Sequence, residues 1–433
     1  MPEFVIVVSK SIYQAIQITE AETDTQGAGC LSNTIRTDSQ TLVANSPNDL
    51  QRFLSDCTTR GQPVVTIASE ILMSNDWRSV NSAARIDLSR MCSLKIDPIR
   101  KLALVGPGVR LSSLVAESQK IGMMPEIESA ACIDFTFSDW ADETLRMMST
   151  INSGIDGILR NVKVVAPSMT YQTGYDSFPA NGGGYDLTKM YMSSGMSLGV
   201  PYEFAVPLRP ISEMMVKRIY SFAKPVDAAV AGAKIHRSGF PRVVKMRSAG
   251  FEQMLVSGNI SPPSSDVQLI VKLEGNQAII DAAEKALDEI AGKNGGKLSE
   301  VQPDAPRFIN PASIGSSVWV VGFFICDTKG IPAVISDITD KATDAKRAFQ
   351  YCVGDLTPNT SLMIPIMQGP PSIPLLRSVG SYLVGNRIPL RGSPSWNPLL
   401  GDSRAVSRVE VLRQIKRVLD PKMILNPHTM EVF

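Results

Sequence analysis

The stretch TLVANSPNDLQRFLSDCTTRGQPVVTIA, residues 41–68, constrains the fold most, because it predicts a strand, a turn, a helix and a second strand in close succession. Ser46 followed by Pro47 is typical of a helix N-cap with proline at the first helical position, and Leu50 and Leu54 fall on one face of that helix. The VVTIA run is rich in β-branched residues, which favours a strand. We therefore expect a domain that mixes strands and helices to begin near residue 41.

The rest of the chain continues this mixed pattern. KLALVGPGVRLSSLVAESQKIGM predicts a strand, a Gly-Pro-Gly turn and an amphipathic helix, and ILRNVKVVAPSM with MTYQTG predicts a hairpin. After Pro210 we predict helices in ISEMMVKRIYSFA, NQAIIDAAEKALDEIAGKNGG and IPAVISDITDKATDAKRAFQ. Strands are predicted in VQLIVKLEG, SVWVVGFFICD and SLMIPIMQG. The C-terminal stretch predicts a helix ended by Asp420-Pro421. This order indicates an α+β sheet with helices on one face.

Composition and charge exclude several classes of function. The 433 residues are enough for two or three domains, and the formal net charge is +1 without a strongly basic or acidic stretch. We therefore expect no nucleic-acid partner and no membrane-surface partner. The N-terminal apolar run is short, and no stretch reaches the ~18 apolar residues of a membrane-spanning helix. These features favour a cytoplasmic protein, or a peripheral member of a complex.

Cysteine and histidine limit the metal and redox chemistry. The six cysteines are scattered and form no CxxC pair, so we expect reduced thiols and neither a structural zinc site nor a disulfide framework. His236 and His428 are the only histidines. That count excludes a site with two histidine ligands and a separate histidine base, and no metal site is expected.

Six motifs in order resemble those of the FAD-linked oxidases of the vanillyl-alcohol oxidase and p-cresol methylhydroxylase type. They are NSPNDL, RGQPVV, IDLSRM, VGPGVRLSSL, DLTKMYMSSGMSLGVPYEFAVPLRP and KRVLDPKMILNPHT. The resemblance runs from about residue 41 to 210 and returns at the C-terminus. The nearest branch is that of the glycolate oxidase and D-lactate dehydrogenase subunits.

The resemblance implies an α+β fold, in which a two-subdomain FAD-binding fold is joined to an α+β cap domain with an antiparallel sheet. The implied division is an N-terminal extension (1–40), an FAD-binding-type domain (41–210), a cap or substrate-type domain (211–395) and a C-terminal segment (396–433) that returns to the FAD-type domain.

In that family the FAD diphosphate lies on two glycine-rich loops, because several backbone N–H groups must approach it closely. The resemblance places the first loop at residues 67–76, with Ala68 and Ser69 facing the diphosphate. This stretch has no glycine and contains two carboxylates. The second loop falls at FTFSDWADE, where Thr136 is kept and Ser138 and Asp139 replace the glycines. A carboxylate about 4 Å from a phosphate costs about 1–4 kcal/mol. We therefore predict that FAD binds weakly, or in an altered pose around residues 67–72.

The resemblance also implies further cofactor contacts, for which ordinary packing is the alternative explanation. They are Gly154, Gly157, Gly195, Leu198, Gly199, Val200 and Asn426. Near Asn426, His428 replaces the usual glycine of the family.

The substrate side is less well defined, and no catalytic residue is assigned. The family's histidine-containing strand is absent, and SLMIPIMQGPPS at the corresponding place has no histidine or carboxylate. A basic cluster of Arg237, Arg242, Lys245 and Arg247 could hold a carboxylate substrate, or could form a solvated face.

Three functions stay open. The first is an FAD-dependent oxidoreductase that acts on a small 2-hydroxy acid or an alcohol and passes electrons to a protein partner subunit. The second is a flavin-free scaffold or regulatory subunit of such a complex, favoured by the missing glycines and histidines. The third is a small-molecule binding protein that reuses the cleft.

Overall fold

The computed structural model describes most of the chain from Thr41 onward. The described residues are 41–67, 83–127, 134–141, 159–175, 187–192, 194–258, 266–303, 308–310, 318–320, 324–354, 356–369, 372–386 and 403–427. The short N-terminal apolar run lies outside them.

A three-stranded parallel sheet contains the strands on which the opening prediction rests. Its order is β1-β3-β2, with strands β1 (Thr41–Val43), β2 (Val64–Ile67) and β3 (Ala84–Asp87). Helix α1 (Pro47–Arg60) has the predicted N-cap, because the Ser46 hydroxyl accepts the Asp49 N–H and the Asp49 carboxylate accepts the Ser46 N–H. The predicted strand, turn, helix and strand are confirmed.

A six-stranded antiparallel sheet follows. Its order is β4-β5-β9-β7-β8, and β6 pairs with β9. Its strands are β4 (Leu94–Asp97), β5 (Leu102–Val105), β6 (Met123–Pro125), β7 (Asn161–Val165), β8 (Thr170–Gln172) and β9 (Val200–Pro210). Three helices belong to this part: α2 (Leu111–Gln119), α3 (Phe137–Ala141) and α4 (Thr188–Met192). The predicted helix after the Gly-Pro-Gly turn and the predicted β7–β8 hairpin are confirmed.

An eight-stranded antiparallel sheet is built by the second half of the chain. Its order is β13-β10-β12-β11-β16-β17-β14, and β15 pairs with β17. The strands are β10 (Met214–Phe222), β11 (Pro241–Ser248), β12 (Val267–Gly275), β13 (Lys297–Pro303), β14 (Val318–Val320), β15 (Phe324–Asp327), β16 (Phe349–Gly354) and β17 (Thr360–Gln368). The helices are α5 (Pro225–Arg237), α6 (Phe251–Ser257), α7 (Gln277–Lys293), α8 (Ile331–Asp344), α9 (Ile373–Gly385) and the C-terminal α10 (Ser403–Leu419). The expected α+β architecture with an antiparallel sheet is confirmed.

The prediction of a helix in ISEMMVKRIYSFA is wrong, because this stretch forms strand β10. All nine residues pair with β12 on one side, and six of them, residues 216–221, pair with β13 on the other. Tyr220 and Phe222 join the helix-covered core. The β-branched and aromatic residues Val216, Ile219 and Tyr220 favour a strand, and two neighbouring strands satisfy its backbone.

The two faces of the eight-stranded sheet have different neighbours. Helices α5, α7, α8 and α9 cover one face through a core that includes Val271 and Met363. On the other face, Ile364 and Ile366 join the same apolar core as Val105 and Leu208 of the six-stranded sheet. The two sheets therefore share a buried boundary.

Polar contacts cross this boundary as well. The Asp134 N–H donates to the Ile309 carbonyl at 2.9 Å. Arg209 of β9 pairs with Glu126 at 3.3 Å and with Glu274 of β12 at 2.7 Å, so one guanidinium joins the two sheets. The ion pairs fix how the sheets are placed relative to one another.

The cysteines correct one expectation. Cys57 and Cys326 are free and buried, as expected, and Cys352 is buried as well. Cys92, however, is disulfide-bonded, so the prediction that every cysteine is a reduced thiol is wrong. Among the described residues there is no group of three or more histidine, cysteine, aspartate or glutamate side chains placed to hold a metal ion. No helix in the same part of the chain has the length and apolar character needed to cross a membrane.

Candidate functional site

The turn between α4 and β9, residues 194–199, is held by side chains from four separate parts of the chain. Each donor bonds one backbone carbonyl: Asn426 Nδ2 to Gly195 at 3.5 Å, Lys416 Nζ to Ser197 at 2.9 Å, Tyr171 OH to Leu198 at 3.1 Å, and Tyr191 OH to Gly199 at 3.2 Å. Four carbonyls within five residues are thus directed into the protein. The turn is buried, and these four bonds fix its backbone conformation.

Backbone conformation explains why this turn contains glycine. Gly195 and Met196 have φ values of 56° and 58°, in the left-handed region. Gly199 has φ 150°, and a Cβ atom there would lie 2.3 Å from Val164 Cγ1. Close packing of the turn on β7 therefore requires glycine at position 199, and Gly195 suits the left-handed conformation at its own position.

Asn426 joins this turn to the end of β2. Its side chain is 1 % exposed and its φ is 41°. The Asn426 Oδ1 accepts the Thr66 N–H at 3.1 Å, and the Asn426 N–H donates to the Val64 carbonyl at 2.8 Å. The C-terminal segment therefore lies beside the point where the chain leaves β2, which is where the first phosphate loop was predicted.

A buried ion pair supports the same arrangement. Lys416 and Asp420 are each 0 % exposed, with Nζ and Oδ2 3.0 Å apart. Lys416 Nζ also donates to the Leu425 carbonyl, so all three of its N–H groups have acceptors. The Asp420 carboxylate accepts the Ile424 N–H at 3.1 Å and the Leu425 N–H at 2.8 Å.

Burial also sets the protonation of the donors. It lowers the pKa of Lys416, and the neighbouring Asp420 carboxylate opposes that shift. Burial raises the pKa of Tyr171 and Tyr191 above the ordinary phenol value. Both hydroxyls therefore remain protonated and donate at neutral pH.

The second predicted phosphate loop is a closed turn. Its four amide N–H groups all donate within the protein: Thr136 to Asp139 Oδ2 at 3.1 Å, Phe137 to the Val109 carbonyl at 3.0 Å, Ser138 to the Pro107 carbonyl at 2.7 Å, and Asp139 to Thr136 Oγ1 at 3.2 Å. The Thr136 and Ser138 hydroxyls lie 2.9 Å apart. Both Ser138 and Asp139 are 5 % exposed. This turn offers a diphosphate neither free amides nor positive charge.

The structure brings together only some of the predicted site residues. Gly195, Leu198, Gly199 and Val200 form one continuous turn and strand start, and Asn426 contacts it. Thr136 and Ser138 lie in the closed turn. Four predicted positions lie outside the described residues, namely Ala68, Ser69, Gly154 and Gly157. His428 lies outside them as well.

Sequence reasoning missed Thr66, Tyr171, Tyr191 and Lys416. Lys416 had a usable signal, because a lysine four residues before Asp420 in a helix can form an intrahelical ion pair. The two tyrosines and Thr66 gave none, since no local sequence pattern links them to the groups that they bind.

The proposed basic cluster does not form a free cationic surface. Arg242 pairs with Glu126, and Arg247 pairs with Glu252 and donates to Gln268 Oε1 at 2.9 Å. Lys245 is 4 % exposed on β11, on the face that carries Arg247 and points away from the helices. Arg237 lies on α5 and is exposed.

His236 lies on α5, on the helix-covered face of the eight-stranded sheet. Burial lowers the pKa of this histidine. It is therefore on the side of the sheet opposite the boundary with the six-stranded sheet.

Comparisons with known proteins agree with this architecture. Residues 39–172 match a family described as the FAD binding domain. Alkyldihydroxyacetonephosphate synthase is similar in structure with a TM-score of 0.66 and 14% identity, over 89% of this chain and 76% of that chain. A search of curated proteins finds no match.

Two oxidases have the same fold. The 4-ethylphenol oxidase from Gulosibacter chungangensis, in an isoeugenol complex, has a TM-score of 0.70 at 13% identity. The match covers 92% of this chain and 91% of that chain. The p-cresol methylhydroxylase with substrate bound has a TM-score of 0.65 at 15% identity, with 90% of this chain and 88% of that chain covered.

The fold and the matched domain define the class. The chain has the two-subdomain α+β fold of the FAD-linked oxidases of the vanillyl-alcohol oxidase and p-cresol methylhydroxylase type, as its motifs predicted. Residues 39–172 match the FAD binding domain model, and the likeness to the solved structures over most of the chain is a likeness of fold.

Proposed function

We propose that this protein is an FAD-linked oxidoreductase that acts on a small 2-hydroxy acid or an alcohol, as a subunit of an electron-transferring complex of the glycolate oxidase type. The observation that supports it is the held turn at residues 194–199 beside Asn426. Such a turn costs little to order when a ligand binds, since its conformation is already fixed by four side chains.

The residues that fit FAD are those around this turn. Gly199 lets the turn pack closely on β7, and Asn426 and Thr66 supply buried polar groups next to the turn. The closed turn at residues 136–139 does not fit the diphosphate. When bound, a flavin supplies the hydride acceptor and the route for electrons to leave, and the protein supplies binding, orientation and electrostatics.

The substrate class rests on the motif resemblance and not on the basic cluster, because Arg242 and Arg247 are paired within the protein. Dye-linked dehydrogenation of a panel of short 2-hydroxy acids and the matching alcohols tests this assignment, and the absence of turnover with both classes would contradict it.

We expect the purified protein, reconstituted with FAD, to show a flavin absorbance band in the visible range. Asn426→Ala should weaken flavin binding about tenfold, because a buried side chain that holds both Thr66 and Gly195 is worth about 1–2 kcal/mol. Asn45→Ala on an exposed loop before α1 is the matched control and should leave affinity unchanged. Flavin fluorescence titration measures both. A folded protein that stays colourless after addition of FAD would refute the enzyme assignment.

A second function is favoured by the closed turn at residues 136–139. We propose as the alternative a flavin-free scaffold or regulatory subunit, in which the fold is kept and the cofactor lost. Co-purification from the native source distinguishes the two. A second flavoprotein chain recovered with a colourless copy of this protein supports the scaffold, whereas a coloured protein recovered alone supports the enzyme.

A further inference from the structure

We infer that Asp139 is a specificity-determining residue that removes the diphosphate contribution to cofactor binding, so that the site does not prefer FAD over FMN. This inference rests on the proposed function in one respect, namely that a flavin binds.

The amides of the turn are already used. A diphosphate is held by several backbone N–H groups that converge on it. Here the N–H groups of residues 136–139 have internal acceptors at 2.7 to 3.2 Å. Two of those acceptors, the Pro107 and Val109 carbonyls, belong to the neighbouring Gly-Pro-Gly turn. Any ligand oxygen would therefore have to break a bond of the fold.

The Asp139 carboxylate takes the place of an anionic ligand. Its Oδ2 accepts the Thr136 N–H, which is the kind of bond a phosphate oxygen would make. The residue is 5 % exposed, so water screens its charge poorly. A phosphate about 4 Å away would meet a repulsion that lowers affinity by about fivefold to 1,000-fold.

The repulsion by the Asp139 carboxylate acts on the diphosphate and not on the flavin ring. The held turn includes Leu198 and Gly199, and Asn426 lies beside it. None of the described hydrogen bonds of these three residues goes to residues 136–139. A flavin ring near the held turn is therefore not opposed by Asp139. The part of FAD that distinguishes it from FMN, namely the second phosphate with its adenosine, gains nothing at the closed turn.

Two variants separate the effect of the Asp139 charge from the effect of freeing a backbone N–H group. Asp139→Asn keeps an oxygen acceptor for the Thr136 N–H and removes the negative charge. Ser138→Gly with Asp139→Gly restores the glycine pair and frees the Thr136 amide. Asp134→Asn is the matched control, because Asp134 is a carboxylate on the same segment that instead binds Ser112 and Arg110. Near-UV circular dichroism establishes that each variant is folded.

The experiment titrates FAD, FMN and ADP against each protein by calorimetry. In the unmodified protein we expect FAD and FMN to bind within about threefold of each other and ADP to bind poorly. The double glycine variant should bind FAD and ADP about tenfold or more tightly, with FMN unchanged, and Asp139→Asn should show part of this gain. Asp134→Asn should show none.

The ADP arm separates the inference from the proposed function. If no flavin binds to any variant, the enzyme assignment fails, and a gain of ADP affinity in the double variant still supports the role of Asp139. Two results would overturn the inference. One is FAD binding more than about tenfold tighter than FMN in the unmodified protein. The other is an ADP affinity that does not change when Asp139 is replaced.

Discussion

Lys416→Met is expected to destabilise the protein by about 3–5 kcal/mol, because it leaves the Asp420 carboxylate buried without its cation. It also leaves the Ser197 and Leu425 carbonyls without their lysine donor. The loss should appear as a lower midpoint of denaturant unfolding, measured by circular dichroism. Since the lysine holds both the turn and the C-terminal segment, flavin affinity should fall in the same variant.

Arg417→Met is the matched control. Arg417 is the next residue of α10, is exposed, and donates only to Gln414 Oε1 at 3.1 Å among its described contacts. Its replacement should change stability by no more than about 0.5 kcal/mol.

A double variant tests the cause of the loss. Lys416→Met with Asp420→Asn removes both charges and keeps one side-chain oxygen, so one of the Ile424 and Leu425 N–H groups retains its acceptor. We expect it to be more stable than Lys416→Met alone, since the uncompensated charge is gone. A double variant less stable than Lys416→Met alone would contradict the assignment of the loss to the unpaired carboxylate.

Gly106→Ala is expected to cost about 3 kcal/mol, at the upper end of what overpacking usually costs. A Cβ atom at Gly106 would lie 2.2 Å from the Met91 carbonyl oxygen, which is backbone and cannot rotate away. The Gly106 N–H also donates to the Ser93 carbonyl at 2.7 Å, so the two segments are tied at this distance. Thermal unfolding should therefore begin at a markedly lower temperature in the variant.

Gly292→Ala provides the comparison for this second variant. Gly292 lies in α7, and a Cβ atom there meets nothing within 4 Å. Alanine at an open helical position should stabilise the protein by about 0.5–1 kcal/mol. If both alanine variants changed stability equally, close packing of the Gly-Pro-Gly turn would not explain the role of Gly106.

Local signals predicted those elements whose ends are set by neighbouring residues. Ser46, Pro47 and Asp49 define the start of α1 through bonds that span three residues, and Asn276 caps α7 in the same way. β10 was predicted wrongly because its pattern permits a helix when taken alone. Pairing with β12 and β13 decides the matter, and those partners lie tens of residues away in sequence.

The candidate site also contains residues that the motifs indicated and residues that only the structure revealed. The motifs indicated Gly195, Gly199 and Asn426, and the structure brings these residues together. No motif indicated that Tyr171, Tyr191 and Lys416 would bind consecutive carbonyls of one turn, because the three donors come from separate elements of the chain. Such contacts are fixed only when the sheets and α10 have packed.

By itself, the sequence determined the fold class and the residue types at the two predicted phosphate loops, since both depend on which residues stand at given positions. The absence of glycine at positions 138 and 139 is visible in the letters alone. Only the tertiary structure decided what that absence means in the described turn. There the Pro107 and Val109 carbonyls and the Asp139 carboxylate accept the amides that a diphosphate would need. A hydrogen-bond donor used within the fold is not available to a ligand, and the sequence does not record which donors are used.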